Sequence, residues 1–262
     1  MHTVLITGAS GVVAKAVGGK LVDDFEVIGV SRSVEDEENF TRYSRIDLLD
    51  EDDLEELEGL LEDVDCVLHF AWNVSVENFD TGERWPENIE MFENVVERSR
   101  KAGVEKFVNG SSIHAGTGEI PAYTAEASLE DTPEPYRKGI DPENSFEMRK
   151  DMPGKLLDPR AEEPDSPYGE SKIETEKLLR EKVDDGAFEL GVSIRIGGIN
   201  SEDSRDVDGE PYYSSLCYSH KDIGTTIRNI IRSDETGYHQ FYGVSDNRYR
   251  VFNIENSFTT PK

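Results

Sequence analysis

The chain has 262 residues, of which 35% are hydrophobic and 32% are charged, and its 56 acidic residues outnumber 28 basic ones. The formal net charge of −28 excludes nucleic acid and an anionic membrane surface as expected partners, because binding to either requires a basic face. Two cysteines exclude a disulfide framework and a four-cysteine zinc site, and we predict no metal site.

Apolar runs alternate with segments of helical spacing along most of the chain. This alternation predicts an α/β domain with a doubly wound parallel sheet and right-handed crossovers. Two polar segments, 116–165 and 201–213, fall outside the alternation and follow strand ends, where ligands bind in open α/β sheets. In chain order we predict strand 4–7, helix 12–21, strand 25–30, a helix that Asp50 caps and in which Leu54, Leu57 and Leu61 share one face, strand 64–71, a helix from Pro86, strand 106–109, a helix from Pro167 and strand 188–196.

A glycine-rich turn follows the first predicted strand. Gly8 permits a tight turn, Gly11 lets backbone N–H groups approach a pyrophosphate, and Ala14 lets the next helix pack closely on the strand. The pattern alone is also compatible with a turn that binds nothing, but here it joins a strand to a helix whose positive end attracts anions. We therefore predict a dinucleotide site that also includes Ser10 and Val12.

The end of the second predicted strand bears on the choice between NAD and NADP. An acidic residue there would accept hydrogen bonds from the ribose 2′-hydroxyl of NAD, but Ser31 and Arg32 occupy the place and the first acid is Glu35. Arginine pairs with a 2′-phosphate, which favours NADP. The alternative is that Arg32 stacks on adenine or lies in solvent. We predict NAD or NADP as the cofactor, with a slight preference for NADP.

Tyr168 and Lys172 are four residues apart in a predicted helix, so their side chains share a face. An ammonium beside a phenol favours the phenolate and lowers the phenol pKa from its usual value of about 10. Tyr168 is thus a candidate general base for a hydroxyl group. Such a pair also arises by chance in a chain with 10 tyrosines, but Ser111 and Ser112 at a preceding strand end add weight to it.

Together these residues resemble the extended short-chain dehydrogenases/reductases, the NAD-dependent epimerase/dehydratase family, over nearly the whole chain. The resemblance implies a Rossmann fold with a small substrate-binding lobe built from long loops. It implies a single domain over 1–262, in which the cofactor-binding core is about 1–112 and 166–198 and the substrate-lobe segments are about 113–165 and 199–250.

The same resemblance implies roles for individual residues. Ser112 would polarise the reacting oxygen, Tyr168 would exchange the proton, and Lys172 would hold the nicotinamide ribose and lower the tyrosine pKa. Further cofactor contacts are implied at Asp47, Leu48, Ala71, Asn88 and Ile196.

Several short segments resemble uronate dehydrogenases and the related archaeal NAD-dependent glucose-6-phosphate dehydrogenases. By this likeness Ser75, Ser111 and His114 line a sugar pocket, and the alternative for His114 is a loop histidine bonded to backbone. The segments are 74–77, Ser111-Ser112-x-His114, 195–197, Ser219-His220-x-Asp222 and 242–247.

The chain departs from uronate dehydrogenases at the substrate carboxylate. Those enzymes hold it with an arginine shortly before the Ser-His-x-Asp segment, whereas 211–215 contains none. The segment between Ser112 and Tyr168 is also longer than usual in those enzymes. It carries cations that could contact an anion instead: Arg137, Lys138, Arg149 and Lys150.

Our leading hypothesis is NAD(P)-dependent oxidation of a sugar or sugar-acid hydroxyl, at the anomeric carbon, to a lactone, with 116–165 closing over the sugar. Alternatives are a nucleotide-sugar epimerase or dehydratase with tightly bound NAD, which the short C-terminal region disfavours, and a cofactor-sensing regulator.

The N-terminus lacks the basic start and apolar run of a signal peptide, so we expect a cytoplasmic protein, halophilic by its acidity. A homodimer through a four-helix interface of 87–100 and 168–180 is a family expectation.

Overall fold

A computed structural model describes residues 2–33, 37–74, 81–118, 157–204, 216–247 and 252–259, together with the backbone of 140–141 and 144–148. No helix in these ranges is both long and apolar enough to cross a membrane. In chain order, the elements are β1 Thr3–Thr7, α1 Val12–Leu21, β2 Glu26–Ser31, β3 Arg42–Arg45, α2 Glu51–Leu61, β4 Cys66–His69, α3 Trp85–Ala102, β5 Lys106–Ser112, β6 Ile140–Asp141, β7 Asn144–Met148, α4 Pro167–Asp184, β8 Leu190–Ile196, α5 His220–Arg232 and β9 Gly237–Gly243.

The main sheet has seven strands in the order β3-β2-β1-β4-β5-β8-β9, and every neighbouring pair is parallel. The chain winds outward from β1 in one direction through β2 and β3, and in the other direction through β4 and β5. A crevice for ligands therefore opens at the carboxyl ends of β1 and β4, where Thr7 pairs with His69. The predicted doubly wound parallel sheet is confirmed.

Helices cover both faces of this sheet. Val4 and Ile6 of β1 join the apolar cluster beneath α1 and α5, while Leu5 joins the cluster beneath α2, α3 and α4. Burial on both faces explains why the central strands are almost continuously apolar in the sequence.

Local signals in the sequence define the helix ends that matter for the crevice. The Asp50 carboxylate accepts hydrogen bonds from the backbone N–H groups of Asp52 and Asp53, as the predicted cap requires. Ser166 caps α4 by accepting from the N–H of Gly169 at 3.2 Å, and Pro167 is the first helical residue. These contacts set where α4, the helix that carries Tyr168, begins.

Three elements of the main sheet layers are missing from the sequence-based prediction. Strand β3 has the polar sequence Arg-Tyr-Ser-Arg at the sheet edge, and half of edge strand β9 is only partly buried, so neither contains a long apolar run. Helix α5 buries Ile223, Ile227, Ile230 and Ile231 at helical spacing, a detectable signal. Residues 220–243, predicted to belong to a substrate-lobe segment, thus contribute a helix and a strand to the main sheet layers.

Candidate functional site

The turn between β1 and α1 lies against the end of β4. Gly8 has φ = +70°, and a Cβ at this position would lie 2.7 Å from the backbone nitrogen of Ala71. Gly8 is therefore required both by its left-handed conformation and by the close approach of the neighbouring backbone. Gly11 is the N-cap of α1, and the first turn of the helix contains no acidic residue. The first N–H groups of α1 have no side-chain cap and can donate hydrogen bonds to an anion.

A cavity of about 180 Å³, called here the turn cavity, lies beside this turn. The described residues that border it include no acidic side chain. Ser31 bonds Tyr43 and the carbonyl of Ser33 through its hydroxyl, and Arg32 is exposed and forms no ion pair with a described residue. The predicted cofactor residues that border the turn cavity are Gly8, Ser10, Gly11, Ser31, Arg32, Leu48 and Ala71.

A second cavity of about 540 Å³, called here the tyrosine cavity, lies at the carboxyl ends of β5 and β8. Phe70 and Trp72 border both cavities, so together the two form one crevice across the sheet. The predicted residues that border the tyrosine cavity are Ser111, Ser112, His114, Tyr168, Lys172 and Ile196.

Tyr168 and Ser112 are hydrogen-bonded to each other inside the tyrosine cavity. Burial raises the pKa of Tyr168 to about 12, and it outweighs the hydrogen bond with Ser112, which acts in the opposite direction. The pKa of Tyr168 is thus raised, whereas the sequence predicts a lowered value. A phenolate at neutral pH requires additional positive charge in this cavity.

Lys172 lies one helical turn beyond Tyr168, as predicted, and is 4% exposed. Its ammonium donates to the carbonyl of Gly110 at 2.8 Å and lies 3.4 Å from the centroid of the Trp72 ring. The ammonium is 5.6 Å from the centroid of the Tyr168 ring. Burial lowers the pKa of Lys172 well below its ordinary value, and the charge of Glu176 opposes this effect.

Ser111 borders the tyrosine cavity, but its hydroxyl donates to Glu176 at 2.5 Å. Glu176 also forms a buried bidentate ion pair with Arg195, and Arg195 donates to the carbonyl of Ala161 at 2.6 Å. This network is absent from the sequence-based prediction. The spacing of Glu176, four residues after Lys172, places both on one helix face and is the signal that could have revealed it.

His114 borders the tyrosine cavity next to Tyr168, with their ring centroids 5.7 Å apart. Its Nδ1 lies 2.7 Å from a carboxylate oxygen of Asp165. Asp165 also accepts hydrogen bonds from Thr117 and Ser166. Burial by itself raises the pKa of Asp165, but His114 and the two hydroxyls outweigh it and hold this pKa below its ordinary value.

Other predicted residues lie outside the two cavities. Asn88 is hydrogen-bonded to the backbone N–H and carbonyl of Asn73, and Asp47 accepts from the backbone of Leu49. Val12 is 42% exposed at the start of α1. Ser75, Arg137, Lys138, Arg149 and Lys150 lie outside the described residues.

The Ser219-His220-x-Asp222 segment forms the start of α5. Ser219 caps the helix by accepting from the N–H of Asp222, and the Asp222 carboxylate accepts from Ser245 at 2.5 Å. Nε2 of His220 lies 2.8 Å from the carbonyl oxygen of Asn200. These groups bond one another and do not border the tyrosine cavity.

The residues present fit a dinucleotide. The turn at Gly8 leaves no room for a Cβ, the first N–H groups of α1 have no side-chain cap, and the turn cavity continues into the cavity that holds Tyr168 and Lys172. Residues of the turn cavity would hold the nucleotide, and Lys172 would hold the nicotinamide ribose.

Comparisons with solved structures identify the same fold in several sugar-related enzymes. A structure described as a mutated uronate dehydrogenase is 22% identical with a TM-score of 0.65, covering 97% of this chain and 78% of its own. Glucuronic acid dehydrogenase from Chromohalobacter salexigens is 20% identical with a TM-score of 0.65, and the alignment covers 97% of this chain and 80% of that enzyme. UDP-N-acetylglucosamine 4-epimerase from Methanobrevibacter ruminantium M1, in complex with UDP-N-acetylmuramic acid, is 19% identical with a TM-score of 0.60. The alignment covers 98% of this chain and 87% of the epimerase.

A search of curated proteins finds no match. The family model for the NAD dependent epimerase/dehydratase family matches residues 4–139, which include all but the first residue of β1, the glycine-rich turn and strands β2 to β5. The match confirms the resemblance stated from the sequence, and the chain belongs to the NAD-dependent epimerase/dehydratase family.

Proposed function

We propose that the protein is an NAD(P)-dependent oxidoreductase that oxidises a hydroxyl of a sugar or sugar acid, at the anomeric carbon, to a lactone. The observation that carries this proposal is the meeting of Ser112, Tyr168 and Lys172 in one cavity that adjoins the turn cavity. The family and its sugar-related neighbours, among them uronate and glucuronic acid dehydrogenases, support a sugar as the substrate.

The chain's own residues would handle the substrate proton. Ser112 already bonds the Tyr168 hydroxyl, so a substrate hydroxyl between these two groups would be oriented by the serine and would give its proton to the tyrosine. The ammonium of Lys172 would stabilise the phenolate that accepts the proton. Bound NAD⁺ or NADP⁺ supplies the hydride acceptor and a positive charge in this crevice.

The ends of the long segment between Ser112 and Tyr168 support its role in covering the sugar. The N–H of Gly118 donates to the carbonyl of Glu163 at 2.7 Å, and the N–H of Asp165 donates to the carbonyl of His114 at 3.2 Å. Both ends of the segment are therefore held beside the tyrosine cavity. We place the substrate-binding segments at 113–165 and in the part of 199–250 outside α5 and β9.

Arg32 supports the use of NADP as well as NAD. It is a cation on the border of the turn cavity, and no described residue there supplies the carboxylate that would repel a 2′-phosphate. The choice of cofactor would then depend on an exposed guanidinium, which makes it testable by one substitution.

A spectrophotometric screen in concentrated KCl tests the proposed reaction. The purified protein is assayed with NAD and with NADP against glucuronate, galacturonate, glucose, glucose 6-phosphate and nucleotide sugars, and reduced nicotinamide is followed by its absorbance. We expect net reduction of the cofactor with a free sugar or sugar acid. Interconversion of nucleotide sugars by protein that retains its own NAD would instead establish the alternative, an epimerase or dehydratase. Binding of NAD without turnover of any sugar would contradict both reactions.

Size-exclusion chromatography would separately test the expected homodimer through α3 and α4.

A further inference from the structure

The indole of Trp72 covers the ammonium of Lys172. The ammonium lies 3.4 Å from the indole centroid, within the range of a strong cation–π contact. Trp72 also meets Tyr168 edge to face, with ring centroids 6.3 Å apart. The tryptophan thus contacts both ionisable groups of the proposed reaction, although no motif in the sequence singles it out.

The backbone on either side of Trp72 is held by side chains from other elements. The N–H of Ala71 donates to the Thr7 hydroxyl at 3.2 Å, and Asn88 bonds the N–H of Asn73 at 2.7 Å and its carbonyl at 3.3 Å. These contacts fix the point from which the indole extends over Lys172. Asn88, which borders neither cavity, thereby holds the backbone next to Trp72.

Lys172 forms no ion pair with a carboxylate in the described part of the chain. Glu176, on its own helix, is the nearest acidic influence, but both oxygens of Glu176 are bonded to Arg195. Two titratable groups of the described residues face the ammonium from other positions, His69 and Tyr168, and both are uncharged at neutral pH. Burial lowers the pKa of His69, at the end of β4, to about 3, and burial raises the pKa of Tyr168 to about 12.

The indole face therefore supplies attraction that an almost fully buried ammonium otherwise lacks. Within the described residues, this ammonium donates a hydrogen bond to the carbonyl of Gly110, which is a neutral acceptor. A cation over an aromatic face is stabilised by the ring quadrupole, and the effect strengthens when the cation is removed from water. The burial that penalises the charge thus makes the indole more effective.

We propose that Trp72 is a positioning residue for Lys172, whose indole holds the lysine beside Tyr168 as an ammonium. This inference rests on the proposed function, because it assigns Trp72 to the same proton transfer. A neutral amine could not stabilise the phenolate, and Tyr168 would then accept a proton only at higher pH. Trp72 would so set the pH range in which the enzyme works.

The pKa of Lys172 can be measured without any substrate or cofactor. The full-length protein is labelled with ¹³C at lysine Cε, and the Lys172 signal is assigned by its loss in Lys172→Met. We expect Trp72→Leu to lower the Lys172 pKa by about one unit or more and to abolish the ring-current shift of its ε-protons. Trp72→Phe, which keeps an aromatic face, should retain part of both effects.

Trp85→Phe is the matched control, because the indole N–H of this other tryptophan donates to Glu174, whereas the Lys172 ammonium lies over the Trp72 ring. It should leave the Lys172 signal unchanged. An unchanged Lys172 pKa in Trp72→Leu would overturn the proposal, as would a value in Trp72→Phe no higher than in Trp72→Leu. Thermal unfolding of each variant confirms that the comparison is made between folded proteins.

The pH dependence of turnover gives a second readout that lost packing alone would not move. In Trp72→Leu the ascending limb of kcat should shift to higher pH, so that activity lost at pH 7 returns at alkaline pH. An equal loss at every pH would overturn the proposal. If no sugar is oxidised by the wild type, the proposed function fails, whereas the lysine measurement still decides whether Trp72 positions Lys172.

Discussion

Glu176 and Arg195 form a buried ion pair whose two hydrogen bonds, at 2.9 and 2.8 Å, connect α4 with β8 directly below the tyrosine cavity. Glu176 additionally accepts from Ser111, and Arg195 additionally donates to the backbone at Ala161. This one ion pair thereby connects three parts of the site. They are the helix that carries Tyr168, the strand end that carries Ser112, and the backbone at Ala161, where the long segment leads back to α4.

Glu176→Gln should destabilise the protein strongly, because it leaves the guanidinium of Arg195 buried and unpaired. Loss of one partner of a buried pair costs about 3–5 kcal/mol in unfolding free energy. Urea unfolding at high salt measures this change in the free energy of unfolding. The double variant Glu176→Gln, Arg195→Met should regain part of the loss, and a double variant less stable than Glu176→Gln would contradict this explanation.

Tyr168→Phe should lower turnover by about 10²-fold or more and leave dinucleotide affinity nearly unchanged, because the substitution removes only the hydroxyl that we propose exchanges the proton. Steady-state kinetics and cofactor titration measure the two effects. Tyr238→Phe is the control, since that hydroxyl bonds Gln240 on the edge strand, away from both cavities. Unchanged turnover in Tyr168→Phe would remove this residue from the mechanism.

Arg32→Ala should weaken NADP use by about tenfold or more, the value of a charge-assisted hydrogen bond, and affect NAD far less. The measurement is the ratio of kcat/KM for the two cofactors. Arg45→Ala serves as a neighbouring control, because its side chain bonds the carbonyl of Arg32 and does not border the turn cavity. An equal loss with both cofactors would show that Arg32 does not contact the 2′-phosphate.

Gly8→Ala should impair dinucleotide binding and destabilise the fold. The left-handed backbone at φ = +70° costs a residue with a Cβ roughly 1–2 kcal/mol, and the new Cβ would also overlap backbone atoms of 70–71. Thermal unfolding and cofactor titration measure both effects. Gly59→Ala, in the last turn of α2 where a Cβ meets nothing within 4 Å, should instead be neutral or stabilising.

Acid should destabilise the wild type more steeply than Asp165→Asn. The folded-state pKa of Asp165 lies below its unfolded value, so its contribution is present above the unfolded pKa, about 3.9, and is lost as the pH falls through the folded pKa. Unfolding free energies of both proteins between pH 5 and about 2 measure the difference. Parallel curves below pH 4 would contradict this assignment.

The elements that form the crevice could be predicted because their sequence signals are local. The apolar β1, the glycines after it and the capped start of α4 each follow from short-range rules. The polar edge strand β3 was not predicted, because its sequence has no strand signal and its position depends on tertiary pairing with β2. Side-chain environment was equally inaccessible, since the raised pKa of Tyr168 results from burial by residues distant in the chain.

Two backbone hydrogen bonds, from Gly118 to Glu163 and from Asp165 to His114, join the two ends of the long segment beside the tyrosine cavity. We therefore expect that residues can be inserted or deleted between these points without moving β5, α4 or the pair Tyr168 and Lys172. If the proposed function holds, exchange of the intervening stretch would change the substrate that is accepted and leave the proposed proton transfer in place.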